Sequence, residues 1–365
     1  MKKTAHIIYP FNLKKDINPW SIGNNIFHAL KDKYKVKTYV WTSVAKISPQ
    51  KGDVLIGHAH PNPLTIFRRS VKSKNWFKKI LIQPYNEDPL LISHLYNLLP
   101  MCDYFIGICG SYWMKRLSKS YFKTWRKKFI QIDLGLNKKN YPFIKKKFNN
   151  RNKRKFIYIG NDYAYNNYAK NTQYLKKISK KIGLKKFGTA GNKKIGQINH
   201  HGWLNFQNKK SLSILRNYDF MIQTSKNDAN PSTVLESISW GLIPVITKEC
   251  GYENLNKKTY ISLNSINKAT DKLKALQKLS NKELKKIQIQ NYKILEKKYN
   301  WKKFQDKIRY ILLKKKIKSD INYKANEINF FKKNLKNSPN YYLRINMIFY
   351  IIKSNIKLVM KKIFN

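Results

Sequence analysis

Acidic side chains are scarce in this 365-residue chain. It has 19 Asp and Glu residues against 75 Lys and Arg residues, and its formal net charge is +56. Arginine is scarce too, because it supplies only 9 of the 75 basic residues. The planar fork of Arg is the group expected to read base edges and phosphates, so a charge carried by lysine argues against a nucleic-acid-binding protein. The charge still favours anionic partners such as sugar nucleotides and acidic lipid headgroups.

Cysteines and long apolar runs are also few. Cys102, Cys109 and Cys250 have no C-x-x-C spacing and each lies in an apolar run, which predicts core thiols in a reducing compartment. The N-terminus MKKTAHIIYPF has no long apolar stretch and no small-residue cleavage site, which argues against a signal peptide. No apolar run approaches the ~20 residues that cross a bilayer. We therefore expect a cytoplasmic protein.

Short apolar runs alternate with helical patterns in the first half of the chain. A helix is predicted to open at Asn18-Pro19 and to end near Leu30. Strands are predicted at HIIYP (6–10), VKTYVW (36–41), DVLIG (53–57), KILIQ (79–83), DYFIGIC (103–109) and KFIQIDLG (128–135). Strands separated by helical stretches are typical of a parallel, doubly wound α/β sheet.

The same pattern restarts after 138–155, a charged stretch without hydrophobic period that we interpret as a linker. Helices are predicted over 171–183 and 211–219. Further strands are predicted at FIYIG (156–160), KKFGTAG (185–191), NHHGW (199–203), FMIQT (220–224) and LIPVI (242–246). The sequence thus predicts two Rossmann-like domains, 1–137 and 156–300. Ligands would bind in a cleft between them, at the carboxyl ends of the strands.

One stretch of the second domain, NDANPSTVLESISWGLIPVIT (227–247), combines acidic residues with strong helix signals. Asn230 is predicted to be the N-cap and Pro231 the first helical residue. Gly241 is predicted to end the helix in the left-handed conformation. The small polar and acidic side chains share one face of this helix: Ser232, Glu236 and Ser239. A helix with that face and free amides at its start is suited to approach an anion.

These motifs carry a resemblance to a known family. DANPSTVLESISWGLIPVI, together with the preceding HHGW and LRNYDFMIQTS, resembles the C-terminal domain of retaining GT-B glycosyltransferases of glycosyltransferase family 4. GDVLIGHAHPN, CDYFIGICGSYW and KFIQIDLGLNKKNYP resemble segments of that family's N-terminal domain. YNWKKF resembles the start of the family's helix that crosses back to the first domain, here 301–318. The likeness covers about residues 4–315 and implies a GT-B fold.

The resemblance implies roles for residues of the second domain. Glu236 would accept hydrogen bonds from the donor's ribose hydroxyls, with a solvated surface charge as the alternative interpretation. The first-turn amides would bind the donor diphosphate, at Ser232, Thr233 and Val234. Asp228 replaces the family's first Glu and would lie near the donor sugar. Lys170 would neutralise the leaving phosphate, whereas Asn161 replaces the family's Arg and carries no charge.

In the first domain the resemblance points to two places. His60, at the end of a predicted strand, would contact the sugar, although an exposed loop histidine is the alternative. His58 lies at the same strand end. Gly23 and Asn24 lie where the family keeps a glycine-rich loop for the donor phosphate, and an ordinary helix start is the alternative there.

The implied reaction is transfer of a sugar from a UDP- or GDP-type donor to a saccharide acceptor with retention at the anomeric carbon. Helix amides and a Lys can stabilise the leaving diphosphate without a metal, and the sequence has no D-x-D motif. No cofactor is expected. Two alternatives stay open: a sugar-nucleotide epimerase, and a non-catalytic nucleotide-sugar-binding relative. The second is suggested by Asn161 and Asn137, which depart from the family pattern.

The C-terminal tail, 319–365, lies outside the likeness. Its segment RINMIFYIIKSNIKLVMKKIF (344–364) has apolar residues at three- and four-residue steps, with lysines beside them. This pattern is typical of a helix lying in an anionic membrane surface, and packing on the protein itself or on a second subunit is the alternative. A peripheral enzyme at the inner face of the membrane would suit a lipid-linked acceptor, such as a lipopolysaccharide or capsule precursor.

Overall fold

The computed structural model describes residues 2–13, 21–87, 91, 95–96, 98–120, 122–162 and 167–315. These residues form two compact units. The first unit takes its described residues from 1–108, 114–132 and 302–315, and the second takes its residues from 109–113 and 133–301. The segment 138–155, predicted as a linker, belongs to the second unit. The tail segment 344–364 and the predicted helix start at Asn18-Pro19 lie outside the described residues.

The first unit contains a six-stranded parallel sheet in the order β2-β1-β3-β4-β5-β6. Its strands are β1 (Thr4–Tyr9), β2 (Lys35–Val40), β3 (Val54–Gly57), β4 (Lys78–Pro84), β5 (Tyr104–Ile108) and β6 (Phe129–Ile132). Helices of this half are α1 (Ile22–Leu30), α2 (Ile66–Ser70) and α3 (Gly110–Lys119). All six strands predicted from the first half are present, and the central ones are buried because helices cover parallel sheets on both faces.

The second unit contains a five-stranded parallel sheet in the order β11-β10-β7-β8-β9. Its strands are β7 (Phe156–Ile159), β8 (Phe187–Ala190), β9 (Asn199–His200), β10 (Phe220–Gln223) and β11 (Ile243–Ile246). Its helices are α4 (Asn167–Lys170), α5 (Thr172–Ile182), α6 (Lys209–Arg216), α7 (Ser232–Trp240), α8 (Ile266–Lys278) and α9 (Asn281–Lys298). Helix α10 (Trp301–Leu313) follows, and the chain returns with it to the first unit.

Each sheet has one point at which the strand order reverses. In the first sheet this point lies between β1 and β3, and in the second it lies between β7 and β10. Side chains that follow the carboxyl ends of these strands line a crevice in which open α/β sheets bind ligands. The two predicted doubly wound α/β sheets are therefore confirmed, and so are the predicted core thiols, since all three cysteines are buried. In the described part of the chain, no helix is long and apolar enough to cross a membrane.

Two buried basic side chains donate hydrogen bonds to the C-terminal ends of helices. Lys78 Nζ donates to the carbonyl of Ile311 at 3.0 Å and also to that of Leu312, in the last turn of α10. Arg154 Nη1 donates to the carbonyl of Gln277 at 2.9 Å, at the end of α8. The last carbonyls of a helix lack intrahelical donors, so these cations satisfy both the carbonyls and the helix dipole.

A buried ion pair fastens 138–155 to the second sheet. Lys145 Nζ lies 3.0 Å from the Asp219 carboxylate, and both side chains are almost fully buried. The same carboxylate accepts hydrogen bonds from the amides of Asn149 at 2.8 Å and Lys155 at 3.1 Å. Asp219 precedes strand β10, so the pair fixes the segment beside the strand that leads to the candidate site described below.

We expect Lys145→Met to lower the free energy of unfolding by about 3 kcal/mol, because it leaves the buried Asp219 charge without its cation. Denaturant titration measures the loss. The matched control is Lys146→Met, at the exposed neighbouring position, which should change stability by less than about 0.5 kcal/mol. Equal stability of the two variants would mean that the backbone amides alone satisfy Asp219.

Candidate functional site

Helix α7 begins at Ser232 without a side-chain cap among the described residues. Pro231 occupies the cap position, so the prediction that Asn230 caps the helix is wrong. Asn230 instead adopts the left-handed conformation, with φ of 52°, and its side-chain oxygen accepts from the amide of Leu134 at 3.3 Å. Its own amide donates to the Cys250 carbonyl at 2.9 Å. Asn tolerates this backbone conformation, and its side chain is used to join two loops rather than to cap the helix.

The start of α7 leaves backbone donors available. The amide of Val234 donates to the Pro231 carbonyl at 3.1 Å. Within the described residues, no acceptor takes the amides of Ser232 and Thr233. Two of the three amides predicted to bind a diphosphate are therefore open, at the positive end of the helix dipole.

Lys170 and Asp228 form an ion pair, and Asp228 lies four residues before this helix start. Lys170 Nζ donates to the Asp228 carboxylate at 2.8 Å, with side chains 18% and 26% exposed. The loop that carries Asp228 is held on helix α4, because the Ala169 carbonyl accepts from the amides of Lys226 at 2.8 Å and Asn227 at 3.1 Å. The structure thus brings together two predicted site residues that lie 58 positions apart.

Glu236 lies one turn into α7 and is 3% exposed. The alternative of a solvated surface charge is therefore wrong. Burial raises the pKa of its carboxyl group to about 7, an effect that the nearby Ser232 hydroxyl partly offsets. Close by lies the hydroxyl of Tyr141, which is buried without a hydrogen-bond partner among the described residues, and its pKa is raised by burial and by the Glu236 carboxylate.

Three more buried polar groups lie near the carboxyl ends of strands β7 and β10. None of them has a hydrogen-bond partner among the described residues. They are the Tyr158 hydroxyl, the Gln223 side-chain oxygen and the Ser225 hydroxyl. Sequence reasoning missed them, although the polar Gln-Thr-Ser run directly after the apolar FMI was a usable signal. A buried polar group left unsatisfied costs about 1–3 kcal/mol, so this switch point is suited to a polar ligand or ordered water.

Asn161 follows strand β7 at the same edge. It is half-buried, and the amide of Asp162 donates to the Asn192 side chain at 2.7 Å. A Cβ at Gly191 would lie 2.1 Å from the Gly160 carbonyl, so the loops after β7 and β8 approach closely. Asn161 adds a polar group to the site edge and no positive charge.

His58 and His60 follow strand β3 at the switch point of the first sheet. His58 packs edge-on against Tyr9, with ring centroids 5.1 Å apart, and burial lowers its pKa to about 3. The Nδ1 atom of His60 accepts from the amide of Asn62 at 3.0 Å, so a neutral ring carries its proton on Nε2. Burial and Arg68 lower the pKa of His60. His60 is therefore suited to donate one hydrogen bond rather than to act as a base.

Gly23 and Asn24 lie in the first turn of helix α1. The Ser21 hydroxyl caps this helix by accepting from the Asn24 amide at 3.2 Å. A Cβ at Gly23 would lie 2.6 Å from the Tyr9 ring and 2.5 Å from the Leu13 methyl group. Close packing against Tyr9 and Leu13 therefore explains why position 23 is a glycine, in agreement with an ordinary helix start. A role of Gly23 in phosphate binding stays a prediction. Among the described residues, no group of three or more His, Cys, Asp or Glu side chains could hold a metal.

Comparison with family models and with curated proteins finds no match. Solved structures do match. A glycosyltransferase from Rickettsia africae ESF-5 is 12% identical, with 92% of this chain and 100% of that chain covered and a TM-score of 0.57. An α,α-trehalose-phosphate synthase (UDP-forming) from Burkholderia vietnamiensis is 10% identical, with 86% and 98% covered and a TM-score of 0.60.

TarM is 12% identical over 80% of this chain, with a TM-score of 0.54, and the chain spans 58% of the length of TarM. All of these matches rest on two parallel α/β sheets of the kind described above. The chain has the GT-B fold. Because the sequence identities are near 10%, the likeness to these structures shows the fold alone.

The buried Glu236 predicts a pH dependence of stability. Its carboxyl group titrates near 4.5 when unfolded and near 7 when folded, so the folded state keeps its proton to higher pH. The free energy of unfolding should therefore fall by about 3 kcal/mol between pH 4.5 and pH 8 through this group. Glu236→Gln should match the wild type at pH 4 and exceed its stability at pH 8, as measured by denaturant midpoints. Parallel profiles from pH 4 to 9 would contradict the assignment.

Proposed function

We propose that this protein is a retaining glycosyltransferase of the family 4 type, which moves a sugar from a nucleotide-diphosphate donor to a saccharide acceptor. One observation carries the proposal. At the switch point of the second sheet, open amides and the buried Glu236 belong to helix α7, and Asp228, paired with Lys170, lies on the loop that leads into this helix. These groups match the diphosphate, the sugar and the ribose of such a donor in turn.

The amides of Ser232 and Thr233 suit the diphosphate, because they combine hydrogen-bond donors with the positive helix end. Glu236 suits the ribose, whose two hydroxyls can donate to a buried carboxyl group. Lys170 suits the phosphate next to the sugar, and Asp228 would then be freed to contact the sugar itself.

Two solved structures that match this chain contain uridine nucleotides, which supports a uridine donor. The trehalose-6-phosphate structure from E. coli is bound with UDP-2-fluoro glucose, and it matches with a TM-score of 0.59. A TarM mutant is in complex with fondaparinux, alpha-GlcNAc-glycerol and UDP, with a TM-score of 0.54. We therefore take UDP-sugars as the first donors to test and GDP-sugars as the second.

In the proposed reaction the bond between the anomeric carbon and the phosphate oxygen breaks while the acceptor oxygen bonds to the same face of that carbon. The acceptor's proton passes to the departing phosphate oxygen, so no strong general base is required. Helix amides and Lys170 stabilise the negative charge as it develops. His60 would donate a hydrogen bond to the substrate, and Val234, Asn161, Gly23 and Asn24 would contact the donor.

The test begins with thermal shifts against a panel of UDP- and GDP-sugars, because a ligand at 100 times its Kd adds about 2.7 kcal/mol to stability. Stabilising donors are then assayed for transfer to saccharide acceptors with and without EDTA. We expect transfer that survives chelation and a product that keeps the donor's anomeric configuration by NMR. Binding without turnover would favour the non-catalytic alternative, and interconversion of the donor sugar would favour the epimerase.

The ion pair between Lys170 and Asp228 predicts that loss of the carboxylate strengthens nucleotide binding and slows turnover. Asp228→Asn removes the carboxylate from Lys170, which then meets the diphosphate without competition. We expect UDP to bind several-fold more tightly while kcat falls by about 100-fold, because the contact to the reacting sugar is lost.

Calorimetry with UDP and steady-state kinetics measure the two effects. The matched control is Asp271→Asn, an exposed acid on helix α8 that should leave both values unchanged. Weaker UDP binding in Asp228→Asn would show that Lys170 needs this carboxylate for its position.

We also propose that the acceptor is lipid-linked and that the tail segment 344–364 attaches the enzyme to an anionic membrane surface. Sedimentation with phosphatidylglycerol vesicles tests this by comparing the full chain with one ending at Ser319. The truncated chain should lose binding and keep transfer to a soluble acceptor, because the proposed site lies within 23–236. Undiminished pelleting of the truncated chain would exclude the tail as the anchor.

A further inference from the structure

Three exposed apolar side chains of the first unit lie on neighbouring elements, around Lys78, whose Nζ is 5.5 Å from the centroid of the Phe77 ring. Phe77, Tyr310 and Leu313 are 41%, 59% and 76% exposed, while most large apolar side chains of the described chain are buried. Phe77 directly precedes strand β4, and the other two lie in the last turn of helix α10. The two elements are joined because Lys78 Nζ donates to the carbonyls of Ile311 and Leu312. We call Phe77, Tyr310 and Leu313 the amino-edge patch, since it lies at the amino ends of the strands.

The charge around the amino-edge patch is positive. Lys3 Nζ lies 5.6 Å from the centroid of the Phe77 ring, and Lys314 Nζ lies 5.2 Å from that of the Tyr310 ring. The carboxylates of two nearby acids accept hydrogen bonds from backbone amides. Asp53 accepts from the amide of Thr4 at 2.8 Å, and Asp103 accepts from the amide of Lys79 at 2.8 Å. The outward-facing side chains therefore combine aromatic rings, a Leu and ammonium groups.

We propose that the amino-edge patch contacts the surface of an anionic lipid bilayer. Aromatic rings and Leu enter the boundary between headgroups and acyl chains, while lysine stems extend so that their ammonium groups reach the headgroups. The net charge of +56 attracts the whole chain to such a surface. The patch acts in addition to the tail and on a part of the fold that the structure describes.

Charge also decides between the bilayer and other occupants. The tail segment 344–364 contains lysines and an arginine and no acid, so its charges and those of Lys3 and Lys314 beside the amino-edge patch repel each other. A second copy of the chain related by a two-fold axis would likewise bring lysines against lysines. Anionic headgroups complement both the patch and the tail.

The placement of the patch has a consequence for the acceptor, which rests on the proposed function. The patch lies at the amino ends of the strands, whereas His60 follows the carboxyl end of β3. The seven residues of β4 span on the order of 20 Å. A hydroxyl that reaches His60 would stand about that far from the lipid surface, so the acceptor would be a lipid-linked glycan of several sugars.

A fluorescent label at the patch tests the contact in the full chain. The three native thiols are buried, so Leu313→Cys provides an accessible site for an NBD dye. With vesicles of phosphatidylglycerol and phosphatidylcholine, we expect a blue shift and at least a twofold gain in emission, about the change that transfer from water to the interface produces. Pure phosphatidylcholine vesicles should leave the emission unchanged. The control is Ile289→Cys, 45% exposed on helix α9 of the second unit, whose label should not respond.

Two results would overturn the proposal. A label at 313 that stays water-exposed while the chain pellets would show that the tail alone holds the protein. A label that is already apolar before vesicles are added would show that the protein covers the patch itself. Neither result bears on sugar transfer, so failure here is distinct from failure of the proposed function.

Binding of unlabelled variants provides the second measurement. Phe77→Ser with Tyr310→Ser should lower partitioning to anionic vesicles by about tenfold, since two interfacial anchors are removed. The matched pair is Trp203→Ser with Ile289→Ser, two exposed apolar side chains of the second unit, which should leave partitioning unchanged. Equal loss in both pairs, or in neither, contradicts a specific contact at the amino-edge patch.

Discussion

Backbone carbonyls are the partners of three of the buried cations in the described part of this fold. Lys78 and Arg154 hold the ends of helices α10 and α8, and Lys128 Nζ donates to the Cys102 carbonyl at 2.8 Å. Acids are few in this chain, 19 against 75 basic residues, so partners other than carboxylates are the common choice. Helix ends offer the alternative, because their carbonyls are unsatisfied and carry the negative end of the dipole. Among the buried acids, Asp219 is paired with Lys145, whereas Glu236 has no ion-pair partner among the described residues.

Asp228 and Glu236 show how two acids eight residues apart reach different states. Asp228 is paired with Lys170, whereas Glu236 is buried and holds its proton to about pH 7. A bound donor would exchange these partners: phosphate would compete for Lys170, and ribose hydroxyls would stabilise the Glu236 carboxylate. Binding of the proposed donor would therefore change the charge distribution of the site.

Local signals were sufficient for the strands and for the end of helix α7, whereas side-chain contacts between residues distant in sequence could not be predicted from them. The apolar runs predicted all eleven described strands, and Gly241 ends helix α7 with φ of 85°, as expected. The N-cap prediction for Asn230 failed because its side chain is bound by Leu134, 96 residues away. The Lys170–Asp228 pair and the buried hydroxyl of Tyr158 likewise depend on how strands β7 and β10 lie side by side, which no local pattern encodes.

Several hydrogen-bonding groups at the carboxyl ends of β7 and β10 lack partners among the described residues, and selection for stability alone does not explain this. Helix α7 starts without a side-chain cap, and Gln223 and Ser225 present buried polar atoms that lack partners within the described residues. Capping the helix with Ser or Asp at position 231 would add about 1 kcal/mol, and apolar side chains would remove the penalty at the strand ends. Unsatisfied polar groups that lower stability are retained where a ligand supplies their hydrogen bonds. Amides at a helix start are best satisfied by an anion. The under-satisfied groups therefore favour a phosphate-bearing ligand independently of any likeness to known proteins.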